Sequence, residues 1–429
     1  MVYSTNKSYN IQNKNTMQSK QQRIKNALWG LFIGVALAMP AHWYYNVSNI
    51  PKTFGGEVEK FEAPKHPHVE AFLVGGSYKP DVENANKLGR KYDILHEHAK
   101  FYNTSYTNFS DSGFEKDETG MIAEKDRYHY HHGLNAGENT LNGHLVRVLM
   151  RQVIKSGKYD QQKFLSDFID FLTTPGKNKD PYTEGYIRAW FENYSKGTPD
   201  YACAANQREN AGINGLGGLL RPMVLSLLSG DDYKSLGIAL EHQNLTHRSE
   251  NIASSLTVLV PILNQLLEGN NPEETFKHLT SSMHLPKFTG LELFREYEKH
   301  GGMSKVSKEV MFDLHTSYQE EKWNIAKFSE ENSEAKVQRK LFSTACYLEH
   351  ATPLLLYIAW KNKFDFKISL LKNVNAGGDN VHRGMALGLI LGAITNELPD
   401  DLVNGLADKV QLEQEINAFA EIAAENKAV

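Results

Sequence analysis

Three glycines, Gly384, Gly388 and Gly392, recur at every fourth position of the apolar run GMALGLILGA. A glycine inside a helix costs about 1 kcal/mol relative to alanine, so a helix that accepts three of them needs a compensating gain. Residues four apart lie on one helix face, and a face made of glycines lets another element approach to backbone contact. A second face of this kind, Gly30, Gly34 and Ala38, lies near the N-terminus in ALWGLFIGVALAMP. Two such faces in one chain imply tight helix packing.

The rest of the sequence agrees with a helical core. Leu141, Leu145, Val148, Leu149 and Val153 form a stripe of helical period, and RSENIASSLTVLVPILNQLLEG and AKVQRKLFSTACYLEHATPLLLYIAW are long apolar-periodic stretches. The 429 residues are 41% hydrophobic, enough for a sizeable core. No fixed-period repeat and no long Pro/Gly/Ser linker divides residues 21–425, so one large all-α domain is expected there. Residues 1–20 are polar and aperiodic and read as a disordered tail, whereas 47–135, rich in Gly, Asn, Asp, Tyr and His, reads as an elaborated, loop-rich region.

Charge and cysteine content narrow the function. A formal net charge of -4 without basic blocks gives no footprint for nucleic acid. Two cysteines, Cys203 and Cys346, cannot build a disulfide framework, which fits a cytoplasmic protein. The segment KQQRIKNALWGLFIGVALAMPAHW has the basic flank, apolar stretch and small residues of a signal peptide, so export is the alternative if residues 21–41 act as one. Its apolar run, 27–41, is shorter than the roughly 20 residues that span a bilayer, so no membrane span is expected.

Polar groups collect at three places. In HYHHGLNAGENTLNGHL, Glu138, Asn139 and Thr140 are consecutive oxygen-bearing side chains before the 141/145/148 stripe; they suit either a helix cap or a hard cation. In NVNAGGDNVHRG, Gly377 and Gly378 permit close approach to a ligand, and Asp379 stands where a helix begins. There it is a simple N-cap, or part of a phosphate or carboxylate site together with Arg383. In AMPAHWYYN, Pro40 ends the small-faced helix, and His42, Trp43, Tyr44 and Tyr45 follow as a titratable group and rings that pack in the core or stack on a base or sugar.

Taken in order with NGLGGLLRPMVLSLL at 214–228 and LTHRSE at 245–250, these stretches resemble the ADP-ribosylglycohydrolase family, which includes the dinitrogenase reductase activating glycohydrolases and the J1 crystallins. The resemblance covers roughly residues 26–400. Family motifs read approximately G-D-A-L-G-x-P-x-E, T-D-D-T, N-G-x-x-M-R and G-G-D-A-D-T on an all-α fold. It implies that acids and hydroxyls bind two divalent cations, usually Mg2+ or Mn2+, which hold the ribose of an ADP-ribosyl group while water attacks its anomeric carbon.

At the first motif Gly34, Ala36, Leu37 and Pro40 agree, but Val35 stands at the acid and His42 at the glutamate. Gly137, Glu138, Asn139 and Thr140 replace the quartet; Asn214, Gly215 and Arg221 fit the middle motif. Gly377, Gly378 and Asp379 match the last one, in which Val381 replaces an acid and His382 the hydroxyl. By this resemblance Glu138 and Asp379 are the catalytic candidates, either of them serving as general base, and Glu138, Asn139, Thr140 and Asp379 the metal ligands. His42, Asn139, Gly377, Gly378, His382 and Arg383 are the substrate-binding candidates, His42 or His382 shuttling a proton. Two carboxylates cannot balance two divalent ions, so fewer than two are expected, and His42 and His382 would shift preference toward zinc or iron. The implied activity is metal-assisted hydrolysis of a glycosidic bond in an ADP-ribosyl or related nucleotide-sugar group; the alternatives are a non-catalytic nucleotide binder and a crystallin-like structural protein.

Overall fold

The helix Lys20–Ala38 starts where Ser19 accepts a hydrogen bond from the Gln22 amide, and from Ala27 on nearly all of it is buried. Its partner is the helix Asn380–Gly392, buried at every residue. In this computed structural model, which describes residues 18–70, 72–107, 113–119 and 121–425, the two run antiparallel with their glycine faces together. A β-carbon at Gly30 would lie 2.1 Å from the Gly388 carbonyl oxygen, and one at Gly34 2.0 Å from that of Gly384. Reciprocally, a β-carbon at Gly388 would meet the Gly30 oxygen at 2.0 Å, and one at Gly392 the Asn26 oxygen at 2.2 Å. Only hydrogen fits there. Asn26 Nδ2 and Arg23 Nη1 close one end by donating to the Thr395 and Ala393 oxygens.

The other helices wrap this pair. Phe366–Asn375 and Leu348–Lys361 pack on Asn380–Gly392, and Lys409–Ala424 packs on Lys20–Ala38. Leu141–Ser156 buries its Leu145, Leu149 and Val153 stripe and is tied to Lys409–Ala424 by Arg147, whose Nε donates to Glu415 at 2.9 Å. Gly217–Ser226, Asp232–Thr246 and Glu250–Leu267 complete the bundle. The strands come in short pairs: Gly76–Tyr78 with Tyr102–Thr104 and Ala205–Asn206 with His247–Arg248, both parallel, and His284–Pro286 with Tyr318–Lys322, antiparallel. The fold is therefore all-α.

Residues 1–17 of the expected tail lie outside the described residues, and Lys20 is already helical. The apolar stretch is also longer than the sequence suggested. Because the helix begins at Lys20, the segment Lys20–Ala41 is long and apolar enough by composition to cross a membrane, yet 89% of its apolar window is buried inside the fold.

The glycine contacts give a contrast that mutation can read. Gly30→Ala or Gly388→Ala should destabilise the protein by about 1–3 kcal/mol despite alanine's better helix propensity, since the added carbon overpacks a backbone contact. Gly237, in the helix Asp232–Thr246, has nothing within 4 Å of an added β-carbon. Gly237→Ala should therefore stabilise by up to about 1 kcal/mol. Urea midpoints of the three variants test this, and equal shifts would contradict it.

Candidate functional site

Antiparallel packing sets the end of Lys20–Ala38 against the start of Asn380–Gly392. Pro40 lies in the short turn Met39–Ala41 that terminates the first helix, and His42 follows directly. The next residues pair with the glycine loop: the Trp43 amide donates to the Gly378 oxygen at 2.8 Å and the Gly378 amide to the Tyr44 oxygen at 2.9 Å. Gly377 and Gly378 both have φ 63°, and β-carbons on them would sit 2.0 Å from the Tyr44 and Thr344 oxygens. The glycine pair thus serves close approach of backbone to backbone, where the sequence suggested approach to a ligand. Trp43 itself is held left-handed at φ 64°, a conformation that persists only when its surroundings impose it.

This arrangement brings His42, Asp379 and His382 into one buried group whose ligand atoms all lie within 4.8 Å of one another. Asp379 Oδ1 is 3.2 Å from His42 Nε2 and 2.7 Å from His382 Nδ1. His382 Nδ1 is close but off the hydrogen-bond line, and Asp379 Oδ2 is buried without a partner. Asp379 also caps its helix, accepting from the His382 amide at 3.4 Å. Buried polar atoms normally find partners. Ligand atoms of one carboxylate and two imidazoles this close together, with a second carboxylate oxygen unpaired, could hold a metal ion.

Electrostatics follow from the geometry. Burial lowers His42 from 6.5 to about 4, with the Asp379 hydrogen bond opposing it. Burial alone would also lower His382, but the Asp379 and Glu184 carboxylates outweigh it and push the imidazole well above its ordinary value. Burial would raise Asp379, yet His382 and His42 hold it far below the usual carboxylate range. Each direction has its partner in view.

Hydrogen bonds extend the group both ways. His42 Nδ1 lies 2.7 Å from His131 Nε2, and His131 Nδ1 lies 2.9 Å from Asp180 Oδ1. On the other side His382 Nε2 is 3.2 Å from Glu184 Oε1 and 2.5 Å from Asn142 Nδ2, which also donates to Glu184. Tyr186 hydroxyl donates to Asn142 at 3.3 Å and accepts from Arg221 at 2.9 Å. Arg221, in the middle motif, also donates to Thr246 at 2.9 Å and meets His242 at 3.3 Å. Trp43, Tyr130 and Tyr182 stand half-buried beside His42, with ring centroids 4.1–4.9 Å apart.

The remaining candidates divide. Glu138 stands outside the His42–Asp379–His382 group: Lys179 Nζ lies 2.8 Å from both its oxygens, and the Asn135 amide donates to it. Asn139 Oδ1 and Thr140 Oγ1, at the start of Leu141–Ser156, are buried without partners. Arg383, expected to hold a phosphate, turns inward instead. Its guanidinium donates to Asn373 and Gly377 at 2.7 Å each and to Thr344 at 3.3 Å, so it braces the glycine loop. His131, Asp180, Glu184 and Asn142 had no place among the site candidates. Asp180 and Glu184 sit in NKDPYTEGYIRAW, which matches no motif, and His131 was visible only as one of several nearby histidines.

Stability should depend on these imidazoles. His350, like His42, is lowered by burial to about 4, and burial pushes His129, His242 and His247 well below 6.5. Below pH 6.5 the unfolded chain binds protons that the folded one refuses, so stability falls as pH drops from 6.5 toward 4. His382 works the other way: its contribution is full below pH 6.5 and is lost as pH rises through its elevated folded value. Burial also lowers His68, His98, His132 and His144, so among the described residues nine imidazoles are lowered against one raised, and the denaturation midpoint of chelator-treated protein should fall from pH 6.5 to 5, above the carboxylate range; a flat midpoint there would contradict this.

A model of the ADP-ribosylglycohydrolase family matches residues 16–428. A solved structure described as an ADP-ribosylglycohydrolase-related protein complex superposes with a TM-score of 0.54 at 14% identity, covering 94% of this chain and 99% of that one. At that identity the likeness speaks for the fold alone. No curated protein matches the sequence.

Proposed function

This chain belongs to the ADP-ribosylglycohydrolase family, and on that premise we propose that it is a divergent hydrolase cleaving the glycosidic bond of an ADP-ribosyl or related nucleotide-sugar group. The observation that carries this reading is the convergence of Asp379, His42 and His382 with Asp379 Oδ2 left unpaired, at positions where the family motifs place metal-site residues.

The donors do not fit a pair of Mg2+ or Mn2+ ions. One carboxylate belongs to the group, and Glu138 is engaged by Lys179. One carboxylate and two imidazoles do fit a single cation that accepts nitrogen as well as oxygen, zinc or iron rather than magnesium. Bound there, such an ion would supply Lewis acidity toward an oxygen of the substrate or water.

The chain's own groups then take separate tasks. Asp379, held far below the carboxylate range, is an anchor and a poor base. Glu184 is the partly exposed carboxylate, its side chain 16% accessible, and its Oε1 can take a proton from water while His382 Nε2 holds it in place. The half-buried rings of Trp43, Tyr130 and Tyr182 offer stacking faces for a base, which supports a nucleotide-bearing substrate. Cys203 and Cys346 are unpaired thiols, which supports a cytoplasmic setting.

A second reading has its own support. His42, Asp379 and His382 are at most 3% exposed, so a substrate must open the site to reach them, and a protein that only binds a nucleotide would need no such access. Elemental analysis together with release of ADP-ribose from a mono-ADP-ribosylated peptide separates the two. Wild type should carry one metal equivalent and turn over. Asp379→Ala should lose both, Glu184→Gln should keep the metal but lose about 10²–10⁴-fold in turnover, and Glu138→Ala should keep both. Stabilisation by ADP-ribose without turnover would favour the binder, and undiminished turnover in Asp379→Ala would overturn the hydrolase site.

A further inference from the structure

We infer that the buried Asp180–His131 pair fixes the tautomer of His42 and so makes His42 Nε2 a metal-donor atom. This rests on the reading of His42, Asp379 and His382 as a cation site.

The argument follows the hydrogens. Asp180 Oδ2 accepts from the Leu141 amide at 2.8 Å and Oδ1 from the Tyr182 amide at 3.1 Å, so this carboxylate acts as an acceptor on both oxygens. His131 Nδ1 sits 2.9 and 3.0 Å from those same oxygens and must donate to them. A neutral imidazole with its proton on Nδ1 presents a bare lone pair on Nε2. That lone pair lies 2.7 Å from His42 Nδ1, which must therefore donate to it. The proton of His42 is thus placed on Nδ1, and its Nε2 is left bare.

That bare nitrogen faces Asp379 Oδ1, a second acceptor, at 3.2 Å. Two lone pairs at this distance need a positive species between or beside them: a metal ion, a second proton on His42, or a proton on His382 Nδ1, 2.7 Å from the same Asp379 oxygen. The other side of the group fixes no tautomer in this way: both Glu184 Oε1, at 3.2 Å, and the amide donor Asn142 Nδ2, at 2.5 Å, face His382 Nε2. A carboxylate that holds the far nitrogen of a ligating histidine is the usual outer support of a metal site; here Asp180 acts through an intervening imidazole.

The surrounding chain holds His131 in place. Its amide donates to His129 Nδ1 at 2.9 Å, so His129 carries its proton on Nε2 and donates to the Pro40 oxygen at 3.1 Å. His131 is thereby anchored to the same turn that presents His42. Asp180, His131 and His129 are all buried, with exposures of 1%, 2% and 0%, so water does not compete for these hydrogen bonds. His131 and Asp180 touch no reacting atom and are positioning residues.

Metal affinity of the full-length chain reads this directly. Chelator-stripped protein is titrated with Zn2+ against a chromophoric competitor, and with Co2+ by its visible absorption. His131→Phe removes the acceptor facing His42, and Asp180→Asn lets the tautomer chain reverse. Each should weaken Zn2+ binding about 10–100-fold and alter the Co2+ bands. His131→Gln keeps an amide oxygen able to accept from His42 Nδ1, and should bind more tightly than His131→Phe. Because it leaves Asp180 intact, it also reports on the relay should either of the other variants fail to fold. Wild-type Zn2+ affinity in all folded variants would overturn the tautomer relay while leaving the cation site standing. Absence of Zn2+ and Co2+ binding in the wild type would instead overturn the site itself.

Discussion

Contact between glycine and carbonyl across two antiparallel helices is the constraint on which the rest depends. A β-carbon on either face would approach an opposing backbone oxygen to 2.0–2.7 Å, inside the repulsive wall, so the Gly30/Gly388 and Gly34/Gly384 positions admit only hydrogen. Such a contact has one register. It sets the turn after Pro40 against the N-cap of Asn380–Gly392, and His42 meets Asp379 although 337 residues separate them. The pairing of Trp43 with Gly378 then locks the register at the site itself. The conformational cost of several glycines in helices is offset by dispersion and burial along an interface that larger residues would hold apart.

Around that register the chain buries a connected set of polar groups. A path of hydrogen bonds and close polar contacts runs from Asp180 through His131, His42, Asp379 and His382 to Asn142, Tyr186 and Arg221. Desolvating so many groups is costly, and the low local dielectric strengthens each contact that is made. The two imidazoles nearest Asp379 are driven apart in basicity by their surroundings. His42 is lowered by burial against the opposing Asp379 hydrogen bond, whereas for His382 the Asp379 and Glu184 carboxylates outweigh burial and raise it. One residue type is thus placed in two opposite electrostatic settings a few ångströms apart.

Part of the site was legible in the sequence, and the reasons differ residue by residue. Asp379 announced itself as a helix start after two glycines, and His42 as the residue beyond a helix-ending proline; both sit in the buried group. Gly377 and Gly378 were recognisable as special, but sequence could not say whether the close approach was to a ligand or to the Tyr44 and Thr344 carbonyls. Glu138 looked equivalent to Asp379 because both are acids at a helix start, yet Lys179, 41 residues away, takes its carboxylate. Arg383 looked like an anion holder, and its partners turned out to be the Asn373 side chain and the backbone oxygens of Gly377 and Thr344.

Periodicity alone determined that this chain is helical, that two of its helices carry small-residue faces, and where polar groups would gather at helix ends. Those are local properties, set by spacing along the chain and by the geometry of one helix. Which face met which, and therefore which of the polar groups shared a buried space, was decided only in three dimensions. Asp180, Glu184 and His131 became partners of the His42–Asp379–His382 group because loops far apart in sequence closed over it. A hydrogen bond between such loops leaves no period and no motif in the sequence, since its strength depends on distance and exclusion of water in the folded state.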